Sequence, residues 1–422
     1  MRIVVVGAGV IGATVTWELT ERGHHVILVE RAEAPARETS YANGGQLHAG
    51  HAAPWNAPGV LWDAVRWLGR SDSPLRIRPE RLITAPRWLL RFLLHSTRAR
   101  HRRHARANAL LAEYGVRRLY DILEHTGIDC QQRRDGILKL FDDQAALQRG
   151  IAAAAAVADL DIEYRVLDRA QTLEREPALQ QHERPALAGA IEFPADGCGD
   201  ARRFALAITE RAVAQGAELR PATPVIRLRK TAKRIAGVVT EHGLIDGDAV
   251  ILAAGSYSAA LAHPLGLRLP IEPIKGYSVT LPLDHVESAA EWVPQRPIID
   301  DVRKIVLTRL GDRLRIAGKA EIAGFDKRIH PERCRAVRDQ GLARFPKLAA
   351  ALADTPPETW SGLRPMTHYG SPLIGPTPIS GLHLATGVGH LGWTFAASVA
   401  QLVADQLEGL EPTLDPRPYH LK

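Results

Sequence analysis

Six residues near the start of the chain, Gly7-Ala8-Gly9-Val10-Ile11-Gly12, spell G-x-G-x-x-G directly after the apolar run Ile3-Val4-Val5-Val6. The hexapeptide alone is weak, but between a strand and a helix it acquires a mechanism. Gly7 permits a sharp turn, and Gly9 lets backbone approach a pyrophosphate. Gly12 lets the helix close on the sheet, so that its first N–H groups point at the phosphates. Glu30 ends the next apolar run, where a ribose hydroxyl needs an acceptor, and Arg31 follows it. A carboxylate there disfavours a 2′-phosphate and so argues against NADP.

NAD and FAD share this fingerprint, and three further segments favour a flavin. Ala249–Leu252 is an aliphatic run ending in Ala253-Ala254-Gly255, a turn small enough for backbone to lie on a dinucleotide. Gly387-Val388-Gly389-His390-Leu391-Gly392-Trp393-Thr394 precedes the last helical stretch. Glycines before a helix N-terminus allow close approach to a ring, and the dipole there stabilises negative charge on reduced flavin. The polar loop Thr39–Gln46 contributes Ser40, Asn43, Gly44, Gly45 and Gln46, continued by Leu47. Val225, opening a later β run, is grouped with these cofactor contacts.

The elements that must position these residues are legible from periodicity. A strand over 2–6, a helix to about 22 and a strand over 25–29 open the chain. A mainly helical region runs from 47 to about 181, with one strand near 136–141. A helix over 202–216 follows, then β runs at 225–228, 235–240, 249–252, 271–281, 304–308 and 313–317. The last hundred residues read as a helix near 331–345, a Pro/Gly-rich strand region over 356–387, and a helix from about 393 to 409. Nucleotide-binding pieces therefore lie at the start, middle and end of an α/β chain.

The 422 residues are 45% hydrophobic and 24% charged, which excludes a disordered, collagenous or coiled-coil protein. Cys130, Cys198 and Cys334 form no C-x-x-C pair, so neither a disulfide framework nor a metal site is expected. No apolar run reaches the roughly 18 residues of a membrane span, and the opening apolar run is too short for a leader. The net charge of +7 is local: from 60 to 106, twelve arginines face three acids. Trp62, Trp67 and Trp88 and the stretch Trp88-Leu89-Leu90-Arg91-Phe92-Leu93-Leu94 are interleaved with them. That combination suits a helix lying in a membrane surface, or else a buried apolar stripe backed by a solvated basic face. No reader motif accompanies the arginines, so nucleic acid is not an expected partner.

The chain resembles the FAD-dependent D-amino-acid dehydrogenases of the D-amino-acid oxidase superfamily. The likeness is carried by V-V-V-G-A-G-V-I-G, by E-T-S-x-A-N-x-G-Q at 38–46 and by A-A-P-W-x-A-P-G at 52–59. It continues through F-P-x-D-G at 193–197, A-x-G-S-Y-S at 253–258 and P-I-K-G-Y-S-V-T at 273–280. It closes with W-S-G-L-R-P-M-T at 360–367 and G-H-L-G-W-T at 389–394. The resemblance implies a discontinuous Rossmann-type FAD-binding domain (1–50, 193–265, 360–422) and an α+β substrate domain with a mixed sheet (51–192, 266–359). It also implies oxidation of a D-amino or imino acid by hydride transfer from Cα to non-covalently held FAD, with electrons passed to a quinone or the respiratory chain. Arg364 occupies the family's G-x-R-P position and is expected to grip the substrate carboxylate. Tyr277 and Lys275 are expected on the substrate side, and His390 beside the flavin or substrate. The expected location is cytoplasmic, with peripheral contact to the inner face of the cytoplasmic membrane through 60–106.

Two departures stand near the expected site. The family's R-P-x-T-P-D-G gives way to Thr367-His368-Tyr369-Gly370, and S-P-G-Y after Gln46 becomes His48-Ala49-Gly50-His51. They put a D-alanine preference in doubt and open D-proline or cis-4-hydroxy-D-proline as substrates. A glycine- or sarcosine-type oxidase using O2, an NAD-dependent dehydrogenase and a non-catalytic membrane- or partner-binding protein are the competing classes.

Overall fold

The computed structural model describes residues 1–60, 73–181, 186–232, 234–286 and 289–422. Arg2–Val6 is buried on both faces, which is why it is apolar without alternation. Ile3 and Val5 point into a core shared with three helices, whereas Val4 and Val6 meet a three-stranded antiparallel meander over 225–246. Arg2–Val6 sits centrally in a six-stranded sheet, paired in parallel with His25–Val29 and Ala249–Leu252. Glu218–Arg220 extends one edge; Leu382–Thr386 and the antiparallel Leu373–Pro376 complete the other. The helices Val10–Glu21, Ala201–Ala214 and Ala396–Glu408 share the apolar cluster that contains Ile3 and Val5. Strands from the start, middle and end of the chain thus form one Rossmann-type layer.

The second body is a nine-stranded mixed sheet. Its long strands Glu358–Thr367, Ile271–Pro282 and Arg313–Ile322 run antiparallel side by side. The helices Pro331–Leu342 and Pro346–Ala351 bury apolar residues in the cluster that contains Tyr277, Val279 and Ile316.

The expected domain limits need two corrections. Residue 360 falls inside Glu358–Thr367, which pairs with Ile271–Pro282 from Thr280↔Glu358 to Ile271↔Thr367. The chain therefore returns to the nucleotide-binding body only after Thr367. The 29-residue helix Arg98–Thr126, expected with the substrate domain, instead shares its core with Ala396–Glu408, Leu111 and Leu119 lying in one cluster with Val399 and Leu402. Gly115 permits the approach, since a Cβ there would lie 2.5 Å from the Thr394 carbonyl oxygen. The last helix begins at Ala396, so the glycine-rich segment before it forms turns. Short strands at Arg165–Asp168, Gly189–Phe193 and Ile298–Asp300 had no separate sequence signal. No described helix is long and apolar enough to cross a membrane.

Candidate active site

A cavity of about 1300 Å3 runs between the two bodies, from the glycine turn to Arg364 and His390. The turn is shaped by steric necessity. Gly7 adopts φ +102°, and a Cβ on Gly12 would lie 1.8 Å from the Gly7 carbonyl oxygen. At Gly9 the nearest atom to such a Cβ is the Ser40 hydroxyl at 3.3 Å, so space above the turn stays open. Glu30 accepts hydrogen bonds from Ala8 N–H at 2.7 Å and Ala32 N–H at 2.9 Å. A carboxylate has about four lone-pair sites, so acceptor capacity remains for a ribose hydroxyl. Ser40 accepts from Val10 N–H at 2.9 Å and ties the polar loop to the first turn of the helix.

The other expected cofactor contacts divide into lining and support. Ile11, Val10, Arg31, Asn43, Gly44, Gly45, Gln46, Val225, Ala254, Gly255, Gly389, Gly392 and Trp393 line the cavity with Gly7, Gly9, Glu30 and Ser40. Ala8, Gly12, Leu47, Leu391 and Thr394 stand behind them: Ala8 and Leu47 are fully buried, and Thr394 accepts from His48 N–H. Arg31 lies 3.7 Å from the centre of the Tyr257 ring and pairs with Glu38. Gln46 donates to the Ile298 carbonyl at 3.0 Å, which leaves its own side-chain oxygen buried without a partner. The open glycine turn, the acid beside it and a cavity larger than the usual 300–1000 Å3 of a small-ligand site fit a dinucleotide with room for a small acid.

Arg364 projects into the cavity from Glu358–Thr367. Its guanidinium lies against Gly276, 5.4 Å from the centre of the Trp55 ring, and donates to the Lys319 carbonyl at 3.1 Å. Among the described residues it has no carboxylate partner. Desolvation lowers its pKa to about 10, so it remains a cation at neutral pH. The preceding carbonyl, that of Leu363, accepts from Thr39 at 2.8 Å and Ser256 at 3.1 Å. His390 stacks on Trp55 with ring centres 5.0 Å apart, and its Nε2 is buried without a partner. Burial, with smaller contributions from His48 and Arg364, holds its pKa well below the usual imidazole value, so it is neutral.

Tyr277 borders the cavity and Lys275 does not, but the polar ends of both turn away from Arg364. In the register that pairs Ile274 with Arg364, they alternate onto the opposite face of the sheet. The Tyr277 hydroxyl donates to Glu321 at 2.8 Å, and Lys275 lies 3.5 Å from the same carboxylate and donates to the Arg328 carbonyl at 3.0 Å. Arg78 completes this network at 2.9 Å from Glu321. Their polar ends are occupied by one another.

Reasoning from the sequence left Trp55 and Gly276 unremarked inside their motifs, although they form the platform on which Arg364 rests. It noted His48 and His51 only as departures, yet both line the cavity. No group of three or more metal-ligating side chains occurs among the described residues.

The fold and cavity define a nucleotide-binding oxidoreductase with a cation facing the cofactor cleft that has no carboxylate partner among the described residues. The sequence pattern of FAD dependent oxidoreductases matches residues 2–406, so the chain belongs to that family and is a flavoprotein. It is 38% identical over 424 residues to a D-amino acid dehydrogenase of Rhizobium johnstonii, covering 99% of this chain and 98% of that protein. It is 39% identical over 416 residues to a D-amino acid dehydrogenase of Cereibacter sphaeroides, covering 98% and 93%. Among solved structures it is similar to glycine oxidase from Geobacillus kaustophilus, with TM-score 0.75, 25% identity and coverage of 100% and 98%. L-proline dehydrogenase from P. horikoshii shares the fold at TM-score 0.76 and 19% identity, covering 100% and 96%.

Proposed function

We propose that this flavoprotein is a D-amino-acid dehydrogenase that oxidises a D-amino or D-imino acid, D-proline and cis-4-hydroxy-D-proline being candidate substrates. The observation that carries the reading is Arg364: a cation held at the cavity wall with, among the described residues, no anion to neutralise it. A planar carboxylate satisfies such a guanidinium with two parallel hydrogen bonds. FAD supplies the two-electron acceptor for the Cα hydrogen. The protein's part is to fix the acid by one end, and the neutral His390 beside Trp55 adds no charge that would compete for it. Full-length likeness to curated D-amino acid dehydrogenases supports the D configuration.

The FAD is held without a covalent bond in this reading, since Cys130, Cys198 and Cys334 are all buried and none lines the cavity. Acid precipitation that leaves a yellow supernatant would support it. The electron acceptor is a quinone or the respiratory chain, reached through peripheral contact with the inner face of the cytoplasmic membrane. Support comes from the helices Pro79–Thr84 and Pro86–His95, which expose Leu82, Ile83, Leu90 and Leu94 beside the exposed Arg87, Arg91 and Arg98. Trp88 takes no part: it is buried and donates to the Pro270 carbonyl at 3.1 Å. Trp62, Trp67, Arg66 and Arg70 lie outside the described residues.

The deciding experiment is anaerobic bleaching of the holoenzyme by paired D- and L-amino acids, followed by dye and oxygen assays. Reduction by D enantiomers with dye but not with oxygen is expected. Reduction by glycine or sarcosine with rapid hydrogen peroxide formation would overturn the reading.

A further inference from the structure

One stretch of the cavity wall carries a polar row that gripping a carboxylate at Arg364 leaves unused. His48 and His51 stand with ring centres 5.7 Å apart on a loop pinned by Asp196, which accepts from Ala49 N–H at 2.8 Å and Gly50 N–H at 3.3 Å. Lys139, from Ile137–Phe141, reaches His51 Nδ1 at 3.4 Å and Asp301 at 3.0 Å. Lys304 meets the other oxygen of Asp301 at 3.2 Å. All of these except Asp196 line the cavity.

Burial lowers the Lys139 pKa and Asp301, 3.0 Å away, opposes it; paired with that carboxylate Lys139 is an ammonium, which donates and never accepts, so His51 Nδ1 is assigned as the acceptor and the ring hydrogen to Nε2. Burial foremost, then Lys139, keeps the ring from taking a second proton. Among the described residues no protein acceptor takes the Nε2 hydrogen. Arg364 and His390 share the Trp55 ring, 5.4 Å and 5.0 Å from its centre, and His51, touched by Lys139, lines the same cavity. An acid held at Arg364 can therefore extend its side chain along His390 towards His51.

Resting on the amino-acid reading above, we propose that His51, oriented by Lys139 and Asp301, donates a hydrogen bond to an oxygen on the substrate side chain. The enzyme then prefers oxygen-bearing D-amino or D-imino acids to their hydrocarbon analogues. An analogue lacking the oxygen leaves that N–H unpaired beside the bound substrate, which corresponds to roughly tenfold or more in kcat/KM. Lys139 is a positioning residue, because it sets which ring nitrogen holds the hydrogen.

The test compares cis-4-hydroxy-D-proline with D-proline, and D-glutamate with D-norvaline, by flavin reduction under nitrogen. Wild-type holoenzyme, His51→Leu and Lys139→Met are used, with His51→Asn as a second variant should the leucine form lose flavin. At least one pair is expected to favour its oxygenated member by tenfold or more in the wild type, and that pair tells a hydroxyl from a carboxylate. Substitution of His51 should erase the ratio, and Lys139→Met should reduce it. Equal rates within both pairs in the wild type, or a preference that survives loss of His51, would overturn the proposal. A yellow enzyme bleached by no D-amino acid at all would instead overturn the reading beneath it, and this inference with it.

Discussion

The guanidinium of Arg364 lies against the bare backbone of Gly276, where an added Cβ would come within 2.1 Å of Nη1. Both residues belong to adjacent antiparallel strands, so their separation is set by the sheet. Gly276→Ala should displace the flexible guanidinium and not the backbone. The expected outcome is a KM for the acid raised about tenfold with FAD content unchanged, a modest loss for a misplaced charge-assisted contact. Steady-state kinetics beside the flavin spectrum checks it.

Arg364→Leu removes the cation itself. Losing one partner of a desolvated charge pair costs about 2–5 kcal/mol, or roughly 30- to several-thousandfold in kcat/KM. The loss should appear in the rate of anaerobic flavin reduction, with the protein still yellow. Arg364→Lys should recover little of it, because an ammonium lacks the planar fork.

Gly12→Ala should give a colourless or unfolded protein. The new Cβ would sit 1.8 Å from a backbone oxygen of Gly7, which cannot move without opening the turn. Absorbance of the purified protein at the flavin maximum, before and after reconstitution, is the readout.

Stability should rise with pH between about 4 and 6.5. His48, His104, His368 and His383 are held by burial at about 4, whereas the unfolded chain protonates them near the ordinary imidazole value of 6.5. The unfolded state therefore binds more protons across that window, and stability present above it is lost as pH falls. His383 lies away from the cavity wall on Leu382–Thr386, with Nδ1 buried and unpartnered. His383→Leu should flatten the dependence by up to one proton, measured by denaturant unfolding of the holoenzyme across pH 4–8.

Leu90→Ser with Leu94→Ser should weaken binding to anionic vesicles while leaving dye-linked turnover intact, because both side chains are largely exposed. Neutralising Arg98, Arg100, Arg102 and Arg103 should do the same, since cations near an anionic surface each contribute about 1 kcal/mol. Vesicle sedimentation measures the first effect and dye reduction the second.

Much of the cofactor half was legible because its signals are local. Gly7–Gly12 and Glu30 depend on one turn and two flanking elements, and periodicity alone delimits those. On the substrate side the motifs brought Arg364 and His390 to the cavity wall. Whether Tyr277 faces the cavity depends on strand parity against a neighbour some ninety residues away, and one residue of register decides it. The apolar surround of Tyr277 and its bond to Glu321 leave no trace in K-G-Y-S. His51 was visible as an oddity, but Lys139 lies on one strand and Asp301 just past the end of its neighbour, and the two meet only in the folded sheet.

The Leu363 carbonyl receives hydroxyls from two loops of the nucleotide-binding body, Thr39 from one and Ser256 from the other. Both loops line the cavity in which a dinucleotide would lie, and the residue they clasp is the immediate chain neighbour of Arg364. Residues that would seat the cofactor thus also fix the backbone beside the guanidinium. A slackened flavin cleft would blur the enzyme's aim at its acid even with every substrate-facing side chain intact.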